Sequence, residues 1–551
     1  MLFKKGVYLH MPNKRGARSI HTAARYGHVG IINTLLQKGE QVDVTTSDNY
    51  TPLHIAVESA KPAVVETLLG YGADVHVKGG IQLETPLHIA ARVKDGDRCA
   101  LMLLKSGAGP NLCTADGQTP VHVAAKHGNL ATLLLLLEDN GDPLFKSKNG
   151  ETPLHLASRG CNADVVRHLI TFVREIKGND VATAYVNSLT EDGATALHYA
   201  GQIAKTEVPQ ENPLEDKEVI KLLIDGGANM DLVTKQNLES VFHYCAIVGN
   251  NDILTEMISA MSTTDVQKAL NRQSGDRMDP YNEGRSALHL AAERGYLEVC
   301  DALLTHKAFI NSKSRVGRTA LHLAAMKGFA NLCKFLVTDH NAVIEVLTLR
   351  KRTPLHLAAA AGQLEVYELL LELGASIDAT DDQGQKPIHV AAQNNYPEVA
   401  QLFLQQQHSL VLACTKDGNT CFLIAAMQGS VRVIEELMKF DRAGVISARK
   451  QNNRSNSITT GCRSTLKCIV CHKSWEFTAV HLAAQHGHGT VLEVMKSSQS
   501  LRISSKKLGV TALHVAAYFG QADTVRELLA QCSCGTEIRS SSRCQSSWRT
   551  R

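Results

Sequence analysis

The chain has 551 residues, with 58 Lys and Arg against 54 Asp and Glu, and so a formal net charge of +4. So small a charge on so long a chain gives no basis for a general affinity for nucleic acid or for a membrane surface. A hydrophobic content of 44% with 20% charged residues is typical of globular proteins and excludes a chain that is disordered throughout.

At the N-terminus, residues 1–13 are expected to precede the first ordered element. They contain lysines but lack the apolar stretch of about 7 to 15 residues that a secretory signal requires. The longest apolar runs, such as residues 133–137, are far shorter than the roughly 18 residues of a membrane span. We therefore expect a cytoplasmic chain without a membrane span.

Eight cysteines stand alone in the sequence, without the spacing of a disulfide framework. In the cytoplasm such residues stay reduced and usually serve as small buried apolar side chains. They are Cys99, Cys113, Cys161, Cys245, Cys300, Cys333, Cys414 and Cys421.

A tetrad of the type Thr-Pro-Leu-His recurs along the chain. From His54 to His88 and from His88 to His122 the distance is 34 residues, and most other intervals are 33 or 34. A fixed period of this length indicates stacked repeat units. The histidines of the series are His21, His54, His88, His122, His155, His198, His243, His289, His322, His356, His389, His481 and His514, and Leu423 takes the same place between His389 and His481.

The residues of one unit predict two helices. The tetrad Thr is a good N-cap and the following Pro suits the first helical position, so a helix begins at each tetrad. An Ala pair such as Ala291 and Ala292 leaves room for a neighbouring backbone, and a glycine such as Gly295 ends the helix. Paired leucines such as Leu303 and Leu304 indicate a second, amphipathic helix. Asp-Gly or Asn-Gly pairs between units are typical of tight turns.

With these features the chain resembles an ankyrin-repeat array. The resemblance implies an all-α solenoid in which each repeat is a helix-turn-helix followed by a projecting finger. It implies about fourteen repeats, with repeats 1–12 in residues 14–449 and repeats 13 and 14 in residues 476–531.

Longer runs are similar to the N-terminal ankyrin region of TRPN channels, the no-mechanoreceptor-potential-C family. These runs are residues 11–21, 90–99, 292–317 and 391–396. In that family an ankyrin spring precedes a six-helix pore and tethers it to microtubules, so that force opens the gate. The resemblance covers most of the chain, whose residues include no pore region.

Some intervals depart from the period. The intervals near 45 residues around His198 and His243 predict long loops at 202–217, which is acidic, and at 273–283. Long insertions of this kind are tolerated on a solenoid. Where the second loop stands, the resembled family would place another repeat.

Two segments have a foreign composition. Residues 450–475 and 532–551 are rich in Cys, Ser and Arg, and they hold Trp475 and Trp548, the two tryptophans of the chain. Neither contains a tetrad or an Ala pair. We interpret both as out-of-frame, alternatively spliced or misassigned sequence, and expect the first to interrupt the stacking of repeats and the second to be a disordered tail.

The first of these segments contains a possible ligand set. Cys468, Cys471 and His472 form a C-x-x-C-H sequence typical of haem attachment, and Cys462 could extend it to a zinc site. Haem attachment of this kind belongs to exported proteins, and a zinc site normally has a second paired half. We therefore expect no cofactor and no metal, with a metal-binding role of the segment as an alternative.

The recurring histidines are interpreted as structural. Because they occupy one position of every unit, each is expected to hydrogen-bond the tetrad Thr and backbone groups between repeats. The sequence has no Gly-rich phosphate loop, nucleophile elbow or convergent carboxylate pair. A solenoid also offers open surfaces rather than one dry pocket, so we expect no enzyme and no catalytic residue.

Basic residues cluster in two consecutive predicted fingers. Stacked one repeat apart, they predict a basic stripe, which is either a solvated face or a contact for an acidic partner. The family resemblance would make that partner a microtubule. The residues are Lys313, Arg315, Arg318, Arg350, Lys351 and Arg352.

The sequence thus predicts a protein-interaction and tethering scaffold that resembles the cytoplasmic spring of a TRPN-type channel. One alternative is a free-standing adaptor that binds a protein partner on its concave face. The other is the metal-binding role of the cysteine segment.

Overall fold

The computed structural model describes residues 11–202, 215–275, 283–440, 477–495, 504 and 509–532. In these ranges the regular structure is helical, and β-type pairing is limited to isolated bridges such as that between Gly79 and Glu84. The predicted all-α repeat fold is confirmed. Among the described helices none is both long and apolar enough to cross a bilayer.

The chain forms two compact units, Met1–Ala291 with Tyr296–Phe309 and Ala292–Gly295 with Ile310–Arg551. Helices are numbered here in chain order. In the first unit the helix pairs of the repeats are α1 (Ser19–Tyr26) with α2 (Val29–Gln37), α3 (Pro52–Glu58) with α4 (Pro62–Gly70), α5 (Pro86–Arg92) with α6 (Asp97–Lys105), α7 (Pro120–His127) with α8 (Leu130–Glu138), α9 (Pro153–Arg159) with α10 (Ala163–Lys177), α12 (Ala196–Gly201) with α13 (Glu215–Asp225), α14 (Val241–Val248) with α15 (Asn251–Ser259), and α17 (Ala287–Arg294) with α18 (Leu297–Thr305).

The second unit continues the same pattern. Its pairs are α19 (Ala320–Lys327) with α20 (Ala330–Thr338), α21 (Pro354–Ala361) with α22 (Leu364–Glu372), α23 (Pro387–Gln393) with α24 (Pro397–Gln406), α25 (Cys421–Gln428) with α26 (Val431–Phe440), α27 (Ala479–His486) with α28 (Gly489–Val494), and α29 (Ala512–Tyr518) with α30 (Ala522–Cys532). A 3₁₀ helix, His408–Leu412, follows α24.

The first helix of a repeat begins where the tetrad predicts. In α21, Thr353 is the N-cap, its hydroxyl accepts from the backbone N–H of His356, and Pro354 fills the first helical position. The helix ends at Gly362, which has φ of 72°. A Cβ at that glycine would collide with the ring of Tyr396 in the next repeat, so close stacking as well as the positive φ requires glycine.

The core lies between successive helix pairs. Ala358 and Ala359 are fully buried where α21 packs between α19 and α23. Their small side chains let the first helices approach closely, while Val366 and Leu370 of α22 fill the space behind them and are also fully buried. Each repeat therefore buries its apolar face only with its neighbours, as expected for a repeat stack.

Two of the irregular intervals contain helices rather than long loops alone. The fifth repeat is lengthened by a fifteen-residue α10 and by an additional helix, α11 (Asn179–Val186). The seventh gains α16 (Thr263–Leu270), which precedes the loop at 273–283 where the resembled family would place another repeat. Most of the predicted loops at 202–217 and 273–283 lies outside the described residues.

The predicted interruption of stacking before repeat 13 is wrong. Helix α27 packs against α25, and α28 packs against α26. In the turn between α27 and α28, His488 Nε2 lies 3.0 Å from the carbonyl oxygen of Met427. Gln521 makes the equivalent contact to the Gln485 carbonyl, at 3.1 Å, between repeats 13 and 14, which are consecutive in sequence. Repeats 12 and 13 are therefore stacked as neighbours, although residues 441–476 between them lie outside the described ranges.

Candidate functional site

The tetrad histidines join neighbouring repeats. In the second repeat, His54 Nδ1 accepts from the Thr51 backbone N–H at 3.2 Å and lies 2.8 Å from the Thr51 hydroxyl. Because Nδ1 accepts, Nε2 carries the proton and donates to the carbonyl oxygen of Glu84 in the next finger, at 3.1 Å. The predicted structural role is confirmed by these bonds. Equivalent Nε2 contacts join His88 to Gln118, His122 to Glu151, His322 to Arg352, His356 to Gln385 and His389 to Ala413.

Burial keeps these histidines neutral. Desolvation lowers the pKa of His54, His88 and His122 from 6.5 to about 4, even though their backbone hydrogen bonds act in the opposite direction. Near pH 7 they therefore hold a fixed hydrogen-bonding pattern and exchange no protons. Their chemistry is that of structural residues.

The eight cysteines expected to be reduced are all free. Burial raises the pKa of the Cys99 thiol to about 11 and that of Cys333 to about 12, so neither thiol is activated as a nucleophile. Over the described part of the chain, no three His, Cys, Asp or Glu residues are placed to hold a metal ion. The weak metal candidates fall outside that part; they are Cys462, Cys468, Cys471 and His472.

The fingers form a ladder of backbone hydrogen bonds along the second unit. The N–H of Leu349 donates to the carbonyl of Val316 in the preceding finger at 3.1 Å. One repeat later, the N–H of Asp382 donates to the carbonyl of Arg350 at 2.9 Å. These bonds fix which residues of successive turns are equivalent: Arg350 takes the place of Val316, and Leu349 takes the place of Arg315.

The basic stripe is therefore only partly in register. Arg318 and Arg352 are equivalent, since each directly precedes the capping Thr of its repeat. The other basic residues alternate between neighbouring positions of the two fingers. Lys313 is exposed, with its ammonium donating to the Leu347 carbonyl at 2.9 Å, and Arg350 is also exposed.

The remaining basic residues differ in burial. Lys351 is exposed at the turn, with φ of 56°, while Arg315 and Arg318 are half-buried. Arg352 is committed to an internal contact: its Nε donates to Asp381 Oδ2 at 3.2 Å, and the Asp381 side chain is completely buried. Arg352 thus has a structural partner inside the stack.

Sequence reasoning missed the apolar side chains between these cations. Leu349 is 73% exposed, and Leu347 and Val316 are exposed beside it. Leu349 stands out in the sequence, because most residues at the equivalent position of the other fingers are small or polar. Those residues are Ser47, Gly80, Ala115, Lys148, Glu191, Lys235, Asp382 and Lys416.

A second surface feature lies between the fingers and first helices of repeats 11 and 12. It is a shallow recess of about 170 Å³ with carboxamide side chains on its walls. The Asn419 side-chain oxygen is buried there without a hydrogen-bond partner. The lining residues are Gln383, Gln385, Gln393, Thr415, Asp417, Asn419, Ile424, Met427 and Gln428.

Two curated proteins show what the sequence is similar to. Human transient receptor potential cation channel subfamily A member 1 is 25% identical over 532 residues, which cover 93% of this chain and 42% of that protein. Zebrafish (Danio rerio) ankyrin repeat and SOCS box protein 11 is 36% identical over 116 residues, which cover 21% of this chain and 39% of that protein. The chain thus spans less than half of the length of either relative.

Among solved structures, the human ASB11 ankyrin repeat domain is 26% identical, with a TM-score of 0.37, and its match covers 45% of this chain and 99% of that one. The profile of the family Ankyrin repeats (3 copies) matches residues 1–79, 87–180, 212–314, 310–381, 374–450 and 455–541. Because these stretches cover far more than half of the chain, and the described helices stack as repeats, the chain belongs to the ankyrin-repeat family.

Proposed function

We propose that the chain is the tethering scaffold of a TRPN-type mechanotransduction channel, at the cytoplasmic face of the plasma membrane. The observation that carries this proposal is the alignment of 93% of the chain with a transient receptor potential cation channel. The runs similar to TRPN channels support the finer assignment. Ankyrin repeats bind protein partners, and the partner we propose for the basic fingers is a microtubule or another acidic cytoskeletal element.

A tether has to pass force from one end to the other. In the second unit each repeat packs directly on the next, and the histidine and finger bonds cross every interface between repeats 9 and 12. A pull on one repeat therefore loads its neighbour through both the core and these hydrogen bonds.

The binding proposal is tested by reversing three cations, Arg315→Glu, Arg350→Glu and Lys351→Glu. Arg352 is left in place because its loss would leave the buried carboxylate of Asp381 without its cation. We expect the triple variant to lose co-sedimentation with microtubules while its circular dichroism stays unchanged, since surface substitutions usually cost less than about 0.5 kcal/mol. Wild-type binding should weaken as ionic strength rises and exposed charges are screened.

A matched control changes the net charge by the same amount elsewhere. Lys334→Glu, Arg432→Glu and Lys439→Glu reverse exposed cations on α20 and α26 of the same unit. This control should bind microtubules as the wild type does. If the finger variant binds equally well at low salt, the basic fingers are a solvated face.

The channel assignment has its own test. Sequencing the full-length transcript beyond codon 530 should reveal six apolar spans in the reading frame of the repeats. A stop codon together with a native protein of 59.8 kDa would contradict the assignment and favour the free-standing adaptor.

The adaptor remains the second candidate because of the carboxamide recess. Carboxamide side chains both donate and accept hydrogen bonds, so they can pair with the backbone of a bound peptide. If the recess binds a protein partner, the triple variant of the basic fingers should still bind that partner. Substituting Gln393 and Gln428 with alanine should weaken its binding.

A further inference from the structure

The finger that ends at Arg352 is unusually apolar for a turn. Val343, Leu347 and Leu349 are 50%, 40% and 73% exposed. Val316 of the preceding finger, whose carbonyl accepts from the Leu349 N–H, is 38% exposed. Single exposed aliphatic residues are ordinary on a protein surface, whereas a group of them marks a contact site.

The stacking of the fingers does not require a leucine side chain at position 349. Its backbone N–H bonds to the Val316 carbonyl, and at equivalent positions Ser47, Lys148 and Lys416 make the same backbone bond. Since very different side chains serve there, stacking does not select leucine. The apolar group faces solvent where a polar side chain would fit equally well.

Cations surround this apolar group. Arg350 and Lys351 follow Leu349 directly, and Arg315 occupies the equivalent of Leu349 in the preceding finger. Among the described residues, two acidic ones stand near these cations: Glu345, whose carboxylate accepts from the Ser376 backbone N–H at 2.8 Å, and Asp382 of the next finger. The surface therefore combines positive charge with exposed aliphatic area.

We infer that these two fingers bind an acidic peptide segment that also carries aliphatic side chains. This inference rests on the proposed function and narrows it: the partner's carboxylates pair with the exposed Arg350 and Lys351, while its aliphatic side chains cover Leu349 and Val316. A purely acidic segment would leave the apolar area in water and forgo the free energy of burying it.

Two labelled synthetic peptides of equal length and charge test the inference. One repeats Glu-Glu-Leu-Ser and the other repeats Glu-Glu-Ser-Ser, and fluorescence anisotropy measures their binding to the full chain at low salt. We expect the leucine-containing peptide to bind at least about tenfold more tightly. In the Leu349→Ser variant that advantage should largely disappear, while binding of the serine peptide stays unchanged.

The matched control is Ile81→Ser, which removes a 96% exposed aliphatic side chain from another finger. It should preserve the preference for the leucine peptide. Equal binding of the two peptides by the wild type, or an equal loss in Ile81→Ser, overturns the inference while leaving the basic fingers as an acidic-partner site. If neither peptide binds the wild type, the proposed recognition of acidic partners fails as well.

Discussion

One buried tyrosine has an unpaired hydroxyl group that lowers the stability of the fold. Tyr367 of α22 is fully buried, its ring packs against Phe403 with centroids 4.5 Å apart, and its hydroxyl has no hydrogen-bond partner. Removing that hydroxyl in Tyr367→Phe should raise stability by about 1 kcal/mol, because an unpaired buried polar group is costly. Urea unfolding measures the change.

The matched control is Tyr199→Phe, whose hydroxyl donates to Glu151 Oε1 at 2.8 Å. This variant should lose stability, by about 1 kcal/mol. A gain of equal size in both variants would show that the hydroxyl of Tyr367 is not the cause.

Arg352 and Arg350 are expected to differ in how much each contributes to stability. Arg352→Ala leaves the buried carboxylate of Asp381 without its cation and should cost about 2 kcal/mol or more. Arg350→Ala removes an exposed side chain and should cost less than about 0.5 kcal/mol. Equal urea midpoints for the two variants would contradict the structural role of Arg352.

At this scale the sequence predicted which residues are basic but not what each one contacts. Arg352 and Arg350 differ by two positions, yet one pairs with a carboxylate 29 residues away and the other faces solvent. The partner of Arg352 depends on the register between fingers, which the repeat period alone does not specify. Leu349 was not predicted, because charge is the property by which the two fingers stand out in the sequence.

At the level of the helices, the histidines in the first helices of the repeats make the stability of the fold depend on pH. The folded pKa of six tetrad histidines of the first unit is lowered to about 4, against 6.5 in an unfolded chain. They are His54, His88, His122, His155, His198 and His243. Between these pH values the unfolded chain binds protons that the folded chain excludes, so stability is complete above pH 6.5 and falls as pH drops towards 4.

Between pH 6.5 and 4, each of these histidines should lower the free energy of unfolding by up to about 1.4 kcal/mol for each unit by which the pH falls. The variant His122→Leu tests this, since Leu423 shows that repeat 12 accepts leucine at the same position. At pH 7.5 it should be less stable than the wild type by about 1 to 3 kcal/mol, because three hydrogen bonds are lost. As pH falls below 6.5 the gap in urea midpoint should narrow. A gap that does not change with pH would contradict the lowered pKa.

The helices themselves were largely predictable, because Thr, Pro, Ala and Gly specify the caps and the close approach in each repeat. The additional helices α11 and α16 were not. They lie in single intervals without a counterpart in other repeats, so the period that revealed the tetrads carried no information about them.

For the whole molecule, the sequence predicted the repeat stack but placed an interruption where the structure has an interface. The long interval between Leu423 and His481 suggested missing repeats. The contact of His488 with Met427 instead makes repeats 12 and 13 spatial neighbours. Sequence distance does not limit stacking, because closing a longer connection costs only slightly more chain entropy.

This interface predicts that the covalent connection is dispensable once the chain has folded. A site-specific protease sequence inserted after residue 450 should allow complete cleavage, with the C-terminal piece still bound through α25 against α27 and α26 against α28. The reason is that repeat stability is a sum of unit and interface terms, and the cut removes neither. Size-exclusion chromatography after cleavage should show both pieces in one peak.

In the variant Gly429→Leu the pieces should separate, because a side chain there would meet His488 within 2.7 Å and the position has φ of 77°. Separation of the wild-type pieces at micromolar concentration would mean that repeats 13 and 14 are held only by the chain.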